Sequence, residues 1–363
     1  METKTSVQLE NLEIPGFHKV VKVTDPVSGL KAIIAIHDLT LGPALGGTRI
    51  MPYASWDEAL FDVLRLAKGM TYKSAVSNAG TGGSKSVIIA DPKTITDEQL
   101  QAFGEAVNQL QGEHICAADM GCTPAYLAHV RKSTQYVVGL AHKNSSGNPG
   151  PFTAYGVYRG IQAGLKQAFG SESVQGRTVA IQGLGSVGSE LARYLFWGGA
   201  RLILNDFDEE KARELAHQFG GTVCPSDEIM SVKCDVFAPC AMGGIINSQT
   251  VKELNCRIVA GGANNQLQND NHAIELMQKG IVYAPDFLIN SGGLINVACE
   301  IEPEGYDPVL SRDKTDSIYE QLLTTFQISQ ENRCSTHQAA VELASYRLRY
   351  GIGKRTTPPV FHH

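Results

Sequence analysis

A short apolar run, TVAIQ at 178–182, passes without a break into Gly183, Leu184, Gly185, Ser186, Val187 and Gly188, and then into a helical pattern through Glu190, Leu191, Ala192, Tyr194 and Leu195. No other feature restricts the fold of this chain so strongly. A bare G-x-G-x-x-G is weak, but here a strand precedes it and a helix follows. The next strand, RLILN at 201–205, ends at Asp206, eighteen residues past Gly188. That order and spacing describe a βαβ unit that binds a dinucleotide. Gly183 makes the tight turn, Gly185 lets the backbone reach a pyrophosphate, and Gly188 allows close packing of helix on strand. The pyrophosphate then sits at the helix N-terminus. Asp206 is expected to accept hydrogen bonds from the adenosine ribose and to repel a 2′-phosphate. With Phe207 and Asp208 next and no Arg, NAD is expected rather than NADP.

Further strands are expected at 234–241, 257–265 and 280–286, each ending in small or polar residues. Cys240, Ala241, Asn264 and Asn265 at two of these ends, and Asn290 in the segment NSGGLINV, suit close approach to a flat nicotinamide. A chain of 363 residues exceeds what one hydrophobic core supports, so a second domain is expected before a run of turn residues at 143–151.

That first part alternates strand and helix. Residues 31–39 and 114–118 read as strands. Capping boxes at Ser55/Glu58 and Thr96/Gln99 open two amphipathic helices. The first, over 56–72, carries Leu60, Val63, Leu64, Ala67 and Met70. The second carries Leu100, Phe103, Val107 and Leu110. The segment 42–49, GPALGGTR, reads as a loop whose adjacent Gly46 and Gly47 admit a ligand to the backbone. The segment 73–86 begins with Lys73 and reaches Lys85 through a glycine-rich turn, before a strand at 86–90. It is not a phosphate-binding P-loop, because Ala79 and Ser84 stand where that motif needs glycine. Glycine beside lysine lets backbone close over the ammonium, and desolvation lowers a lysine pKa. Asp119 ends the strand at 114–118, where open α/β sheets gather their chemistry.

Composition narrows the function classes. With 31 basic and 37 acidic residues the net charge is −6, which offers no footprint for nucleic acid. No apolar stretch is long enough to cross a membrane, and the first ten residues lack a leader's apolar core, so a cytoplasmic protein is expected. The eight cysteines show no zinc spacing and read as reduced, mostly buried thiols, with no metal site expected.

With these segments assembled, the chain resembles the glutamate, leucine, phenylalanine and valine dehydrogenase family from about residue 31 to 350. The carriers are GPALGGTR (42–49), LRLAKGMTYK (64–73), GGSK (82–85), ADMG (118–121), TAYGVYRG (153–160), VAIQGLGSVG (179–188), DVFAPCAMGG (235–244), ANNQL (263–267) and YAPDFLINSGGLINVA (283–298). Ala118 stands where family members acting on leucine usually carry Glu, and 76–81 also departs from the common run. The resemblance implies a two-domain α/β fold, with residues 1–145 plus 331–363 forming a catalytic and oligomerisation domain. Residues 146–330 would form a Rossmann domain, with the active site in the cleft. It implies that Lys73 holds the substrate α-carboxylate with the backbone at Gly46 and Gly47, that Lys85 activates water, and that Asp119 shuttles protons. Asn265 would lie near substrate and nicotinamide, and Thr153 would contact the carboxamide. Leu45, Ala117, Leu294 and Val297 match the family's specificity pocket, the last two on one face of a helical segment.

All four pocket residues are apolar, and an unpaired γ-carboxylate buried among them would be costly. The expected reaction is therefore oxidative deamination of a branched-chain L-amino acid, leucine first and valine and isoleucine after it, to the 2-oxo acid, ammonia and NADH. An aromatic substrate, phenylalanine or tryptophan, is the alternative. A catalytically silent NAD-binding homologue is disfavoured because both lysines are present. A homodimer or homo-octamer is expected.

Overall fold

The computed structural model describes residues 6–141 and 145–362. The first residues of the expected hinge, Lys143 and Asn144, lie outside them, as do residues 1–5 and 363. The chain divides into two compact units. One comprises Met1–Asn148, Val297–Pro308 and Ser345–His363; the other comprises Pro149–Asn296 and Val309–Ala344.

The first unit contains β1 (Gln8–Asn11), β2 (Lys19–Asp25), β3 (Leu30–Asp38), β4 (Ala44–Met51), α1 (Trp56–Ser77), β5 (Gly82–Ile89), α2 (Asp97–Gln109), β6 (His114–Ala118) and α3 (Pro124–Val130). Its strands form one sheet in the order β1-β2-β3-β5-β4-β6. The β1–β2, β2–β3 and β3–β5 pairs are antiparallel, whereas β4 runs parallel to both β5 and β6. Side chains alternate between the faces, as the pleat requires. Val20, Ile33, Ala35 and Val87 pack against Ala59, Val63 and Ala67 of α1. Val21, Val23, Ile34, Ile36 and Ile88 pack on the side of Leu100, Phe103 and Val107 of α2.

Three local expectations change. The buried row of α1 is Ala59, Val63, Ala67, Thr71 and Ser74, with Leu60 and Leu64 only flanking it. Small residues face the sheet because the helix lies very close to it. A Cβ at Gly83 would stand 2.1 Å from the Thr71 nitrogen. Residues 42–49 are not a loop but mostly β4, and Lys85 lies inside β5 rather than on a turn. Of the two capping boxes, that at Thr96/Gln99 is complete, while Glu58 accepts from Ala54 rather than from Ser55.

The second unit contains α4 (Gly150–Phe169), β7 (Thr178–Gln182), α5 (Ser186–Trp197), β8 (Arg201–Asn205), α6 (Glu209–Phe219), β9 (Thr222–Val223), β10 (Val236–Pro239), α7 (Thr250–Glu253), β11 (Ile258–Val259), α8 (Asn271–Gln278), β12 (Val282–Tyr283) and α9 (Asp286–Ile289). Most of α10 (Gly292–Ala298), α11 (Pro308–Asp316), all of α12 (Ile318–Asn332) and the start of α13 (Thr336–Tyr350) belong to it as well. The sheet is wholly parallel in the order β12-β11-β10-β7-β8-β9. This is the doubly wound dinucleotide-binding order, with its switch point between β7 and β10. The expected strands at 234–241, 257–265 and 280–286 are shorter than their apolar runs. Cys240, Ala241, Asn264 and Asn265 lie in the loops after them.

The unit boundaries also differ from those expected at 145/146 and 330/331. Residues 297–308 join the first unit because the buried Glu300 accepts hydrogen bonds from the Gly139 and Ser146 amides and from both serine hydroxyls at 145 and 146. The start of α13 stays with the second unit, where Thr336 Oγ1 donates to the Tyr283 carbonyl at 2.6 Å. Only its end joins the first, through Arg347 bonding the Ala75 and Val76 carbonyls that close α1. All eight cysteines are free thiols. Among the described residues no helix is long and apolar enough to cross a membrane.

Candidate active site

In the first unit the candidate chemistry gathers around Gly47. Strand β4 lies between β5 and β6, so Lys85 on β5 and Asp119, just past β6, flank it on either side. They meet directly, with Lys85 Nζ 2.7 Å from Asp119 Oδ2. A Cβ at Gly47 would stand 2.8 Å from Asp119 Cβ and 3.0 Å from Lys85 Nζ, so the pair needs a glycine there. Gly46 is required for a different reason, because its Cβ would fall 1.9 Å from the Ser84 carbonyl oxygen. Packing against the neighbouring strands thus accounts for both glycines.

Arg49, two residues beyond Gly47 on the same strand face, reaches the same Asp119 oxygen with Nε at 3.1 Å. Its NH1 donates to Asp62 Oδ2 of α1 at 2.8 Å, and the Tyr53 hydroxyl donates to that oxygen at 2.7 Å. Arg65 holds the other Asp62 oxygen at 3.1 Å. Burial alone pushes the Asp119 carboxyl up. The Lys85 ammonium, and after it Arg49, outweigh that, and Asp119 sits below the usual carboxylate range. Burial likewise pushes Asp62 up, but the Tyr53 hydroxyl and Arg49 bring it down. Arg49, Asp62 and Tyr53 were not singled out from the sequence. For Arg49 the signal was the period of two through Gly47, visible only if 42–49 is read as a strand; Asp62 and Tyr53 had none.

Lys73 lies half-buried on α1, between the buried Thr71 and Ser74; Ser74 Oγ bonds the Thr81 carbonyl at 2.5 Å. His114 opens β6 fully buried, with Nδ1 2.8 Å from Ser84 Oγ. Burial and the Lys85 ammonium lower its pKa to about 3, so it is neutral. Leu45 and Ala117 are buried on β4 and β6, and Val297 is buried in the same unit. Leu294 belongs to the second unit, as do Asn265 and all the candidate cofactor residues.

In that unit Gly183 has φ 91°, and a Cβ on it would stand 2.6 Å from Ala241 Cβ. A Cβ on Gly188 would fall 1.9 Å from the Gly183 oxygen, which is the close helix–strand packing expected. Gly185 is the N-cap of α5 and has no side-chain cap, and a Cβ there would meet nothing within 4 Å. Open space beside the uncapped amides that begin a helix suits a pyrophosphate. Asp206 Oδ2 accepts from the Leu184 amide at 2.5 Å and Oδ1 from Asp208, which ties the glycine turn to the end of β8. Asn290 donates to Asn264 Oδ1 at 2.7 Å. Its own Oδ1, and Gln182 Oε1 at the end of β7, are buried acceptors without a donor among the described residues. Such orphaned acceptors fit a ligand that brings its own N–H or O–H groups. Thr153, in the first turn of α4, donates to the Pro149 carbonyl at 3.0 Å and keeps its lone pairs. Cys240 Sγ accepts from the Gly262 amide. Asn265 takes a left-handed conformation, φ 51°, and its carbonyl accepts from Gly244.

A family model described as the Glu/Leu/Phe/Val dehydrogenase dimerisation domain matches residues 17–136, and one described as Glutamate/Leucine/Phenylalanine/Valine dehydrogenase matches 201–349. A leucine dehydrogenase from Geobacillus stearothermophilus is 46% identical over 339 residues, which span 93% of this chain and 92% of that protein. A phenylalanine dehydrogenase from Lysinibacillus sphaericus is 45% identical over 335 residues, 90% of this chain and 87% of that protein. The crystal structure of L-tryptophan dehydrogenase from Nostoc punctiforme matches with TM-score 0.84 at 44% identity, covering 92% of this chain and 96% of that one.

Proposed function

The chain belongs to the glutamate/leucine/phenylalanine/valine dehydrogenase family and is an amino-acid dehydrogenase, and on that premise we propose that it catalyses the reversible, NAD-dependent deamination of L-leucine, and of L-valine and L-isoleucine, to the 2-oxo acid, ammonia and NADH. The observation that carries the chemistry is the 2.7 Å contact between Lys85 and Asp119 beneath a strand stripped of side chain at Gly47. A nicotinamide dinucleotide held at residues 183–188 and Asp206 would supply the acceptor for the hydride leaving the substrate Cα. The rest is proton movement by this chain's own groups. Lys85, in its neutral form, takes a proton from water as the water oxygen adds to the imine carbon. Asp119 receives and returns protons as the carbinolamine forms and ammonia leaves, and contact with Lys85 lets a proton pass between them without an intervening water.

Lys73 pairs with the α-carboxylate, helped by backbone at Gly46 and Gly47. Asn265 contacts substrate and nicotinamide. Thr153, Cys240, Ala241, Asn264 and Asn290 line the nicotinamide, and Gly183 to Gly188 hold the pyrophosphate. Asp206 selects NAD, since a 2′-phosphate beside its carboxylate meets Asp208 as well.

Leu45, Ala117, Leu294 and Val297 are all apolar, which supports a branched side chain as substrate, and none of the four offers a cation to a γ-carboxylate. The nearly equal identities to phenylalanine and tryptophan dehydrogenases favour an aromatic substrate as the second reading. The protein acts in the cytoplasm as a homodimer or homo-octamer; the matched dimerisation domain supports self-association. Initial rates of NADH formation at alkaline pH, across leucine, isoleucine, valine, phenylalanine, tryptophan and glutamate, test the reading. Leucine should rank first in kcat/KM and glutamate last. A higher kcat/KM for phenylalanine, tryptophan or glutamate than for every branched substrate overturns it.

A further inference from the structure

Asp119 receives two cations on one oxygen, and only Lys85 has a role in the proposed reaction. Arg49 reaches that oxygen through Nε while its NH1 is held by Asp62, which is itself fixed by Tyr53 and Arg65. Nε and NH1 of a guanidinium lie in one rigid plane, so anchoring one end on Asp62 fixes where the other meets Asp119. The Arg49 and Asp62 side chains are only 15% and 17% exposed, which limits screening of this charge chain by solvent.

We propose that Arg49, anchored by Asp62 and Tyr53, is a positioning residue that orients the Asp119 carboxylate and sets how readily the Lys85–Asp119 pair gives up its proton. The inference rests on the role of Asp119 as proton carrier. The ionisable groups facing the pair are Arg49 from β4, Tyr53 beyond its end, Asp62 and Arg65 from α1, His114 from β6 and Cys122 beyond it. His114 is neutral, and burial together with the Asp119 charge raises the Cys122 thiol to about 12, so it is neutral too. The near charges are therefore Arg49, Asp62 and Arg65, with Lys73 on α1, the other cation of the proposed site, unaltered in every variant below.

The acidic limb of the kcat/KM profile reports the last proton to leave the coupled pair. Removing a nearby cation makes that proton harder to lose. Arg49→Gln should move the limb to higher pH and lower kcat about 10–100-fold, within the usual range of acid–base contributions. The KM for NAD should stay within about twofold, since the cofactor contacts are untouched. Asp62→Asn removes a negative charge and should move the limb the other way, by less. Arg49→Lys keeps the charge but not the fork, so it should leave the limb near its wild-type position with kcat reduced several-fold. Asp119→Asn is the control. If it is inactive while Arg49→Gln and Asp62→Asn leave the limb unmoved, or move it in the same direction, the inference about Arg49 is overturned and the role of Asp119 stands. If Asp119→Asn turns over like wild type, the proton-carrier reading fails first and takes the inference with it. Should Arg49→Gln not fold, Asp62→Asn and Arg49→Lys decide the question by the same two readouts.

Discussion

Gly46 and Gly47 are adjacent and alike in sequence, yet alanine should fail at each for a different reason. At position 47 an added Cβ would stand 2.8 Å from Asp119 Cβ, 3.0 Å from the Ala118 oxygen and 3.0 Å from Lys85 Nζ. Carbon atoms pack at about 3.5–4.0 Å, so Asp119 must retreat by about 0.7 Å or more. Lys85 Nζ is the end of a flexible chain and yields cheaply. The Lys85–Asp119 distance then grows from 2.7 Å beyond the range of a short charge-assisted bond, about 2.7–2.9 Å. Overpacking of this kind costs about 1–3 kcal/mol, whereas misplacing a reacting group by about 1 Å costs about 100-fold in rate. Gly47→Ala should therefore fold, with a modest loss in urea unfolding, and lose about 100-fold in kcat. At position 46 the Cβ would stand 1.9 Å from the Ser84 oxygen and 2.4 Å from its carbon, both backbone atoms inside the sheet. Nothing there can swing aside, so Gly46→Ala should fail to give soluble, cooperatively unfolding protein. Paired NADH assays and urea titrations separate the two cases. The reasoning is refuted if Gly47→Ala keeps kcat within twofold of wild type, or if Gly46→Ala is as stable as Gly47→Ala.

Lys85→Ala should lose nearly all turnover while NAD binding, read by fluorescence titration, survives; Lys73→Ala should instead raise the amino-acid KM strongly. Undiminished kcat in the first variant ends the proposed mechanism. Asp206→Ser combined with Phe207→Arg should shift kcat/KM from NAD toward NADP, and a wild type that already uses both equally contradicts the role given to Asp206. His114, neutral in the fold with a pKa of about 3, makes the protein acid-sensitive. Below the unfolded value of about 6.5 only the unfolded chain binds the proton, so stability falls as pH drops from there toward 3. Between pH 7 and pH 5 wild type should lose about 2 kcal/mol more than His114→Asn in urea unfolding; equal losses would show that burial of this imidazole does not set the slope.

The dinucleotide unit was legible because its determinants are local. Turn, helix start and strand end at 178–206 are each set by residues within a few positions of one another, and β7 and β8 match their apolar runs. Lys73, Lys85 and Asp119 were legible as chemical types through the family's motifs, but not their setting. Residues 44–51 and 82–85 contain too much glycine and serine to carry strand propensity. They are strands because neighbouring strands pair with them on both sides, and because α1 presses so near at Thr71 that a larger side chain at Gly83 has no room. For the same reason the Arg49–Asp119 contact joins residues seventy positions apart, and the Asp62 anchor comes from a helix. Charges at such separations have no signature in spacing. The sequence by itself determined which side chains can move protons and which turn can take a pyrophosphate, since those depend on residue type and local backbone. Only the tertiary structure decided that Lys85, Asp119 and Arg49 converge over one missing side chain, because that depends on the register of three strands that meet nowhere along the chain.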